Sequence, residues 1–234
     1  MHLAGAPIAV RWTASRKREI LASRVQSTKR IVELIAARAR PPRVFVCASA
    51  IGFYGDRGSE ELTESSSAGS DFLADVVRAW EGAAASAPIR TVQLRFGVVL
   101  SPDGGALAKM LPAFRAGIGG RLGSGAQWMS WIALHDVVRV IRFAIGSDEL
   151  RGPVNTVAPV PVTNSDFTET MSRVLRRPAA LPVPAFALRL LFGEMAGQTM
   201  LASQRVVPER LNQAGFVCAY PTVESALRHE LGRD

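Results

Sequence analysis

Lysine is almost missing from this chain of 234 residues: of 28 basic residues only three are lysines, Lys17, Lys29 and Lys109. The net charge of +8 is therefore carried by arginine, spread along the chain apart from the stretch between Arg11 and Arg30. Scattered arginine reads as a solvated surface, and no zinc-finger spacing or aromatic RNA-binding motif accompanies it, so no nucleic-acid partner is expected. An arginine-rich helix start could instead hold cofactor phosphates. Cysteine is scarce too. Cys47 and Cys218 make no metal or redox spacing, and Cys47 inside an apolar strand reads as a small buried hydrophobe. The three histidines never cluster with them, so no metal site is expected. No apolar run reaches the roughly 18 residues that span a bilayer. No basic stretch followed by an apolar core opens the chain. A reducing, cytoplasmic setting with no membrane partner is the simplest expectation. Two further absences bear on chemistry: no G-x-S-x-G nucleophile elbow and no G-x-G-x-x-G dinucleotide turn.

What is present alternates between helix and strand. Thr13 to about Arg38 has helical spacing, with Ile20, Leu21, Val25, Ile31, Val32, Leu34 and Ile35 on one broad face, and Pro41-Pro42 stops it. Arg43 to Ser49 is a short apolar run, read as a buried parallel strand. Gly52 to Ser70 reads as loop, Asp71 to Ala87 as helix, and Ile89 to Leu100 as another buried strand. Beyond Pro102 the spacing predicts a helix over Leu107–Ala116, a flexible glycine stretch from Gly117 to Gly125, and a strand over Gln127–Leu134. Asp136 is expected to cap a helix over Val137–Ile145, followed by a strand over Pro153–Val157 and a helix from Asn164 or Ser165 to Leu175. This is an α/β pattern, with right-handed crossovers and ligands at the carboxyl ends of the strands. A soft boundary near residue 160 divides residues 1–160, an incomplete Rossmann-like sheet with insertions from about 103, from a smaller, mostly helical lobe over 161–234.

Three segments could carry chemistry. Ala48-Ser-Ala-Ile-Gly-Phe-Tyr-Gly-Asp56 puts a hydroxyl, glycines and a tyrosine at a strand's carboxyl end, making Ser49 and Tyr54 catalytic candidates. The plain alternative is a strand-end turn with a serine that caps something. Gly117 to Gly125 precedes a strand rather than a helix, so a mobile substrate-side loop fits it better than a phosphate cradle. His135 before Asp136 could act as an acid–base group, although a lone histidine there is more often structural.

The motifs Leu3-Ala-Gly-Ala-Pro-Ile, Arg11-Trp12, Ser23-Arg24, Ser49-Ala-Ile-Gly-Phe-Tyr-Gly-Asp56, Trp80-Glu81, Arg95-Phe-Gly-Val-Val-Leu100 and Asp103-Gly-Gly are specific in combination. With the tail Leu191-Phe-Gly-Glu194, Gln204 to Leu211 and Ala214-Gly-Phe216, they cover nearly the whole chain. The chain resembles the atypical extended short-chain dehydrogenase/reductases of the NAD(P)-dependent epimerase family. That resemblance implies an oxidoreductase-like protein with a Rossmann sheet carrying NADP, and a C-terminal lobe closing over a small-molecule substrate. Leu3, Ala4 and Gly5 then match the strand-end loop beside the cofactor. Glu19 and Arg24 match polar positions on the long helix, and Val98 lies by the nicotinamide. The family carries an earlier strand and glycine-rich turn, so roughly 50 to 60 residues are expected before Met1. A valine codon read as initiator would explain Met1, the alternative is a true truncation, and the native mass decides.

The family's usual chemistry uses Ser/Thr with Tyr-x-x-x-Lys. Only Tyr54 and Tyr220 exist here, and four residues beyond them stand Gly58 and Glu224. By position the serine, tyrosine and lysine would fall near Ala50, Leu73 and Val77. Two functions are therefore expected as alternatives. One is an NADP-binding epimerase-like protein with non-standard chemistry. The other is a catalytically silent cofactor-sensing or protein-interaction module, of the kind a cell-division regulator could be.

Overall fold

The computed structural model describes residues 1–233. Helix α1 (Ala14–Ala36) starts where the Thr13 side chain accepts the Arg16 N–H, and it buries Ile20, Val32 and Ile35. Strand β1 (Val44–Ala50) is buried over its five central residues and runs into a 3-10 turn, Ile51–Tyr54. After the short β2 (Glu61–Leu62), Asp71 caps α2 (Phe72–Ala85) through the Ala74 N–H. Next come β3 (Arg90–Phe96), β4 (Val98–Leu100), α3 (Gly105–Arg115), β5 (Trp128–Met129) and β6 (Trp131–Ala133). They are followed by α4 (Leu134–Gly146), β7 (Gly152–Thr156), β8 (Val162–Thr163) and α5 (Asn164–Leu175). The tail holds α6 (Ala185–Phe192), a π turn at Ala196–Met200, β9 (Arg205–Val206), α7 (Glu209–Gln213) and α8 (Val223–Glu230).

The central sheet is parallel, in the order β1-β3-β7, with Val46 beside Val92 and Leu94 beside Val154. Both faces are covered, as continuous apolar strands require. On one face α1 and α2 enclose Val32, Phe45, Cys47 and Trp80; on the other α4 packs Val140 and Ala144 on Val46, Leu94 and Val154. Outside β1, His2 takes a strand-like place: its N–H donates to the Val46 carbonyl and its carbonyl accepts from Ala48, each at 2.8 Å. A third core joins Leu100, Leu111 and Trp131 to Phe167, Met171, Val223 and Leu227, so apolar packing runs across residue 160.

Several expected elements differ in detail. Ile89–Leu100 is two strands, because the chain turns at Gly97 and β4 leaves the sheet to pair with β6. A Cβ at Gly97 would stand 2.6 Å from the Ser130 carbonyl oxygen, so only glycine permits the turn. Gln127–Leu134 likewise breaks at Ser130, whose buried hydroxyl bonds the tail at Gln204 and Val206. Asp136 does not cap α4, whose N-cap is Ala133. Its carboxylate lies in the first turn and accepts the N–H groups of Ala219 and Tyr220. The Gly117–Gly125 stretch is held by bonds from Leu122 N to Asn164 Oδ1 and from Gly123 N to the Val183 carbonyl.

Candidate functional site

The carboxyl ends of β1 and β3 point to the same edge as the loop that leaves His2. Leu3, Ala4 and Gly5 are exposed there. The loop is fastened to α1: the Ala6 N–H donates to Ser23 Oγ at 3.0 Å, and Arg24 Nη1 donates to the Ala6 and Ile20 carbonyls at 3.1 Å. A Cβ on Gly5 would stand 3.0 Å from the Arg24 guanidinium carbon, so glycine lets the loop lie against that side chain. Burial lowers the Arg24 pKa from its ordinary value, and no carboxylate pairs with it among the described residues. A half-buried cation bonded only to carbonyls has donors left for an anion. Glu19 stands apart. It is exposed and paired with Arg16 at 2.6 Å. Val98 lies just past the end of β3, its N–H donating to the Ser130 carbonyl at 2.9 Å.

Beneath this edge runs one buried polar chain. Ser49 Oγ donates to Glu81 Oε1 at 2.5 Å, and Arg95 donates through Nε and Nη2 to both Glu81 oxygens at 2.8 Å. Arg95 Nη1 donates to the Tyr54 hydroxyl at 2.9 Å, and that hydroxyl donates to Asn155 Oδ1 at 2.7 Å. The Asn155 N–H donates to Glu64 Oε1 at 2.9 Å, and that oxygen also accepts the Arg210 N–H at 3.3 Å. Arg95 lies 3.6 Å from the centre of the Phe53 ring. Burial works against its charge, but the bonds to Glu81 and Tyr54 outweigh burial, and its pKa is raised. Burial also raises Tyr54, against the opposing pull of Arg95, so its phenol stays protonated.

Ser49 and Tyr54 thus face inward. Tyr54 has no exposed surface at all, and Ser49 is bonded to Glu81. The Ser49 hydroxyl ends on the Glu81 side chain rather than in a cleft. At the positions where the family's tyrosine and lysine would fall, Leu73 and Val77 are buried, Leu73 packing with Trp12, Ile20, Val76 and Met195. His135 is exposed, its ring edge-on to Tyr220 and His229. Among the described residues no group of three His, Cys, Asp or Glu side chains could hold a metal. The sequence points to Glu81 and Arg95 only as parts of motifs, not as a buried pair, and to Glu64 and Asn155 not at all. A charge inside an apolar helix and another inside an apolar strand were the available signal. Gly52, Gly55 and Gly58 recur at three-residue spacing, but Gly52 lies inside the 3-10 turn and the other two in the cap and loop after it, so no helix N-terminus stands behind them to receive a phosphate.

Residues 1–156 match the NAD dependent epimerase/dehydratase family, and residues 183–230 match a domain of unknown function, DUF1731. The chain is 44% identical over 233 residues to the chloroplastic epimerase family protein SDR39U1 homolog of Arabidopsis thaliana, covering 97% of this chain and 67% of that one. An epimerase family protein of Mycobacterium bovis is 41% identical over 239 residues, covering 100% of this chain and 78% of its own length. The crystal structure of human epimerase family protein SDR39U1 with NADPH superposes with a TM-score of 0.95 at 32% identity, over 99% of this chain and 81% of that one.

Proposed function

The chain belongs to the NAD dependent epimerase/dehydratase family, and from that premise we propose that it binds NADP at the edge formed by Leu3–Gly5, Arg24 and Val98. The observation that carries this is the fastening of the Leu3–Gly5 loop over a half-buried Arg24 with no carboxylate partner. That donor set suits a phosphate-bearing ligand, since guanidinium binds phosphate oxygens bidentately. The human relative named above contains NADPH. The cofactor supplies hydride exchange when bound. This chain's residues supply its seat: Gly5 keeps side-chain bulk away, Arg24 offers charge, and Val98 presents an apolar wall beyond β3.

The buried chain from Ser49 to Glu64 holds these strand ends in register rather than handling substrate. Leu73 and Val77, at the positions the family's tyrosine and lysine would take, cannot transfer a proton, so any turnover of its small-molecule substrate uses a group other than a Tyr-x-x-x-Lys pair. A cofactor-sensing role without turnover is the second reading, supported by the apolar Leu73 and Val77. Titration of NADPH by fluorescence against the protein isolated from its own cells tests the cofactor claim. Arg24→Gln should weaken binding by roughly tenfold, the scale of one charge-assisted bond. Equal affinity in the variant, or no NADPH binding by the folded native protein, sinks it.

A further inference from the structure

Two stretches of this chain, Gly104–His135 and Thr170–Gly193, contain no aspartate or glutamate. The fold brings them together. Leu122 and Val183 form a parallel bridge, Val183 N donates to the Arg121 carbonyl and Gly123 N to the Val183 carbonyl, both at 2.8 Å, and Leu181 N reaches the Gly119 carbonyl. Nothing larger than glycine fits at residue 120, where a Cβ would stand 1.9 Å from the Leu181 carbonyl oxygen. Gly117 in turn abuts Pro178, next to Arg176 and Arg177.

The surface so assembled is both apolar and cationic. Leu190 is 73% exposed, Phe186 72%, Leu191 64%, Ile118 59% and Leu181 56%. Phe186 and Leu190 are four residues apart on α6 and share a face, while Leu188 is buried and anchors the helix. The same two stretches carry Arg115, Arg121, Arg176, Arg177 and Arg189, all exposed, and none of the five makes an ion pair among the described residues. Of the acids that border the two stretches, Glu194 pairs with Lys17 and Asp136 with Arg139, while Asp103 and Glu169 are exposed and pair with none of the five arginines.

We propose that this face seats on an anionic lipid surface, with Phe186, Leu190 and Leu191 entering the headgroup layer and the five arginines meeting lipid phosphates. Large apolar side chains beside unpaired arginines are the composition of an interfacial helix. Clustered exposed apolar residues on one face call for a partner. A second copy is a poor partner, because a two-fold contact would set this all-cationic surface against itself. An anionic bilayer answers both features at once: it takes apolar side chains in depth and returns negative charge at the surface. This is attachment, not spanning, since no helix among the described residues is long and apolar enough to cross a membrane. It departs from the sequence-based expectation of no membrane partner, which rested on the lack of a long apolar run.

The test is co-sedimentation of the full chain with vesicles of phosphatidylcholine alone and of phosphatidylcholine mixed with phosphatidylglycerol. Binding is expected only to the mixed vesicles and should fall as salt is raised. Phe186→Ser/Leu190→Ser should lose roughly tenfold or more in affinity, with an unchanged thermal melt because both side chains are exposed. Arg176→Glu/Arg177→Glu should lose at least as much, each arginine near the surface contributing roughly a factor of five. Failure to bind mixed vesicles overturns the proposal. So does equal binding to neutral vesicles, or binding that survives the Ser substitutions, which would mark a purely electrostatic surface. Concentration-dependent dimerisation of the native chain that those Ser substitutions abolish would assign the face to a second copy instead.

Discussion

The pairing of Glu81 with Arg95 anchors one chain of buried polar groups, holding Ser49 and Tyr54 directly and Asn155 and Glu64 beyond them. Both side chains of the pair are almost wholly enclosed, and Arg95 uses two of its nitrogens on the carboxylate and a third on Tyr54. An ion pair taken out of water contributes little net stability, but removing one partner strands the other. Arg95→Met should therefore cost about 3–5 kcal/mol in urea unfolding, and Glu81→Gln a comparable amount, while the double substitution recovers part of the loss. Additive losses in the double variant would show that the two residues act separately. Glu64 gives a second residue-scale expectation. Burial raises its pKa above the ordinary 4.5, against the pull of the Asn155 and Arg210 N–H groups. A carboxyl that holds its proton more tightly when folded stabilises the fold at low pH. That stability is lost as pH rises from 4.5 through the raised value. Thermal melts of the native chain and Glu64→Gln across this window should converge at its acid end and separate at its upper end, with the glutamine variant the more stable. A constant difference across the window would remove Glu64 as the titrating group.

Between the elements, glycine rather than hydrophobicity sets the paths of the chain. Gly97 lets β3 end inside the sheet while β4 crosses to β6, because a side chain there would strike Ser130 O and Val157. Gly97→Ala should destabilise by about 1–3 kcal/mol through forced backbone shifts. Gly82→Ala, in open space on α2, should be neutral or slightly stabilising, so urea midpoints of the two separate crowding from helix propensity. A harmless Gly97→Ala would mean that β4 can move aside. The same residue explains what could be read without coordinates. The periodicity of Ile89–Leu100 is a real strand signal, but it is one-dimensional. It is blind to a chain that changes partners at a glycine. Helix α1 and strand β1 were legible nearly to their ends, since their apolar spacing and the Thr13 and Pro41-Pro42 punctuation are local. Ser49 and Tyr54 were legible only as polar groups at a strand end. Their partners lie 32 and 41 or more residues away on other elements, and nothing near them in the chain shows that both hydroxyls turn inward. Asp136 is the converse case. It stood where a cap belongs, but the tail from Ala219 had a stronger claim on its oxygens.

At the scale of the whole molecule, the tail is not an appendage. β9 pairs in parallel with β2, Gln204 Nε2 donates to the Ile51 and Gly55 carbonyls, and Asn155 Nδ2 donates to the Val207 carbonyl. Arg210 closes the outer edge of β7 by donating to the Arg151 and Pro153 carbonyls, leaving that edge less open to strand addition. The polar chain that begins at Ser49 beneath the cofactor-side loop therefore ends on the Arg210 N–H, inside the tail. Since α5 and α8 also share a core with β4 and β6, neither the sheet nor the tail keeps its buried polar groups satisfied without the other. Unfolding should accordingly be a single transition. Near-ultraviolet circular dichroism, to which buried Trp12, Trp80 and Trp131 contribute from three different cores, should follow the same urea curve as the far-ultraviolet backbone signal. Two separated transitions would show that residues on either side of 160 fold as independent units. In that case Arg210→Ala, which removes the edge bonds but no core contact, should shift only one of them; in a single cooperative unit it moves the whole curve.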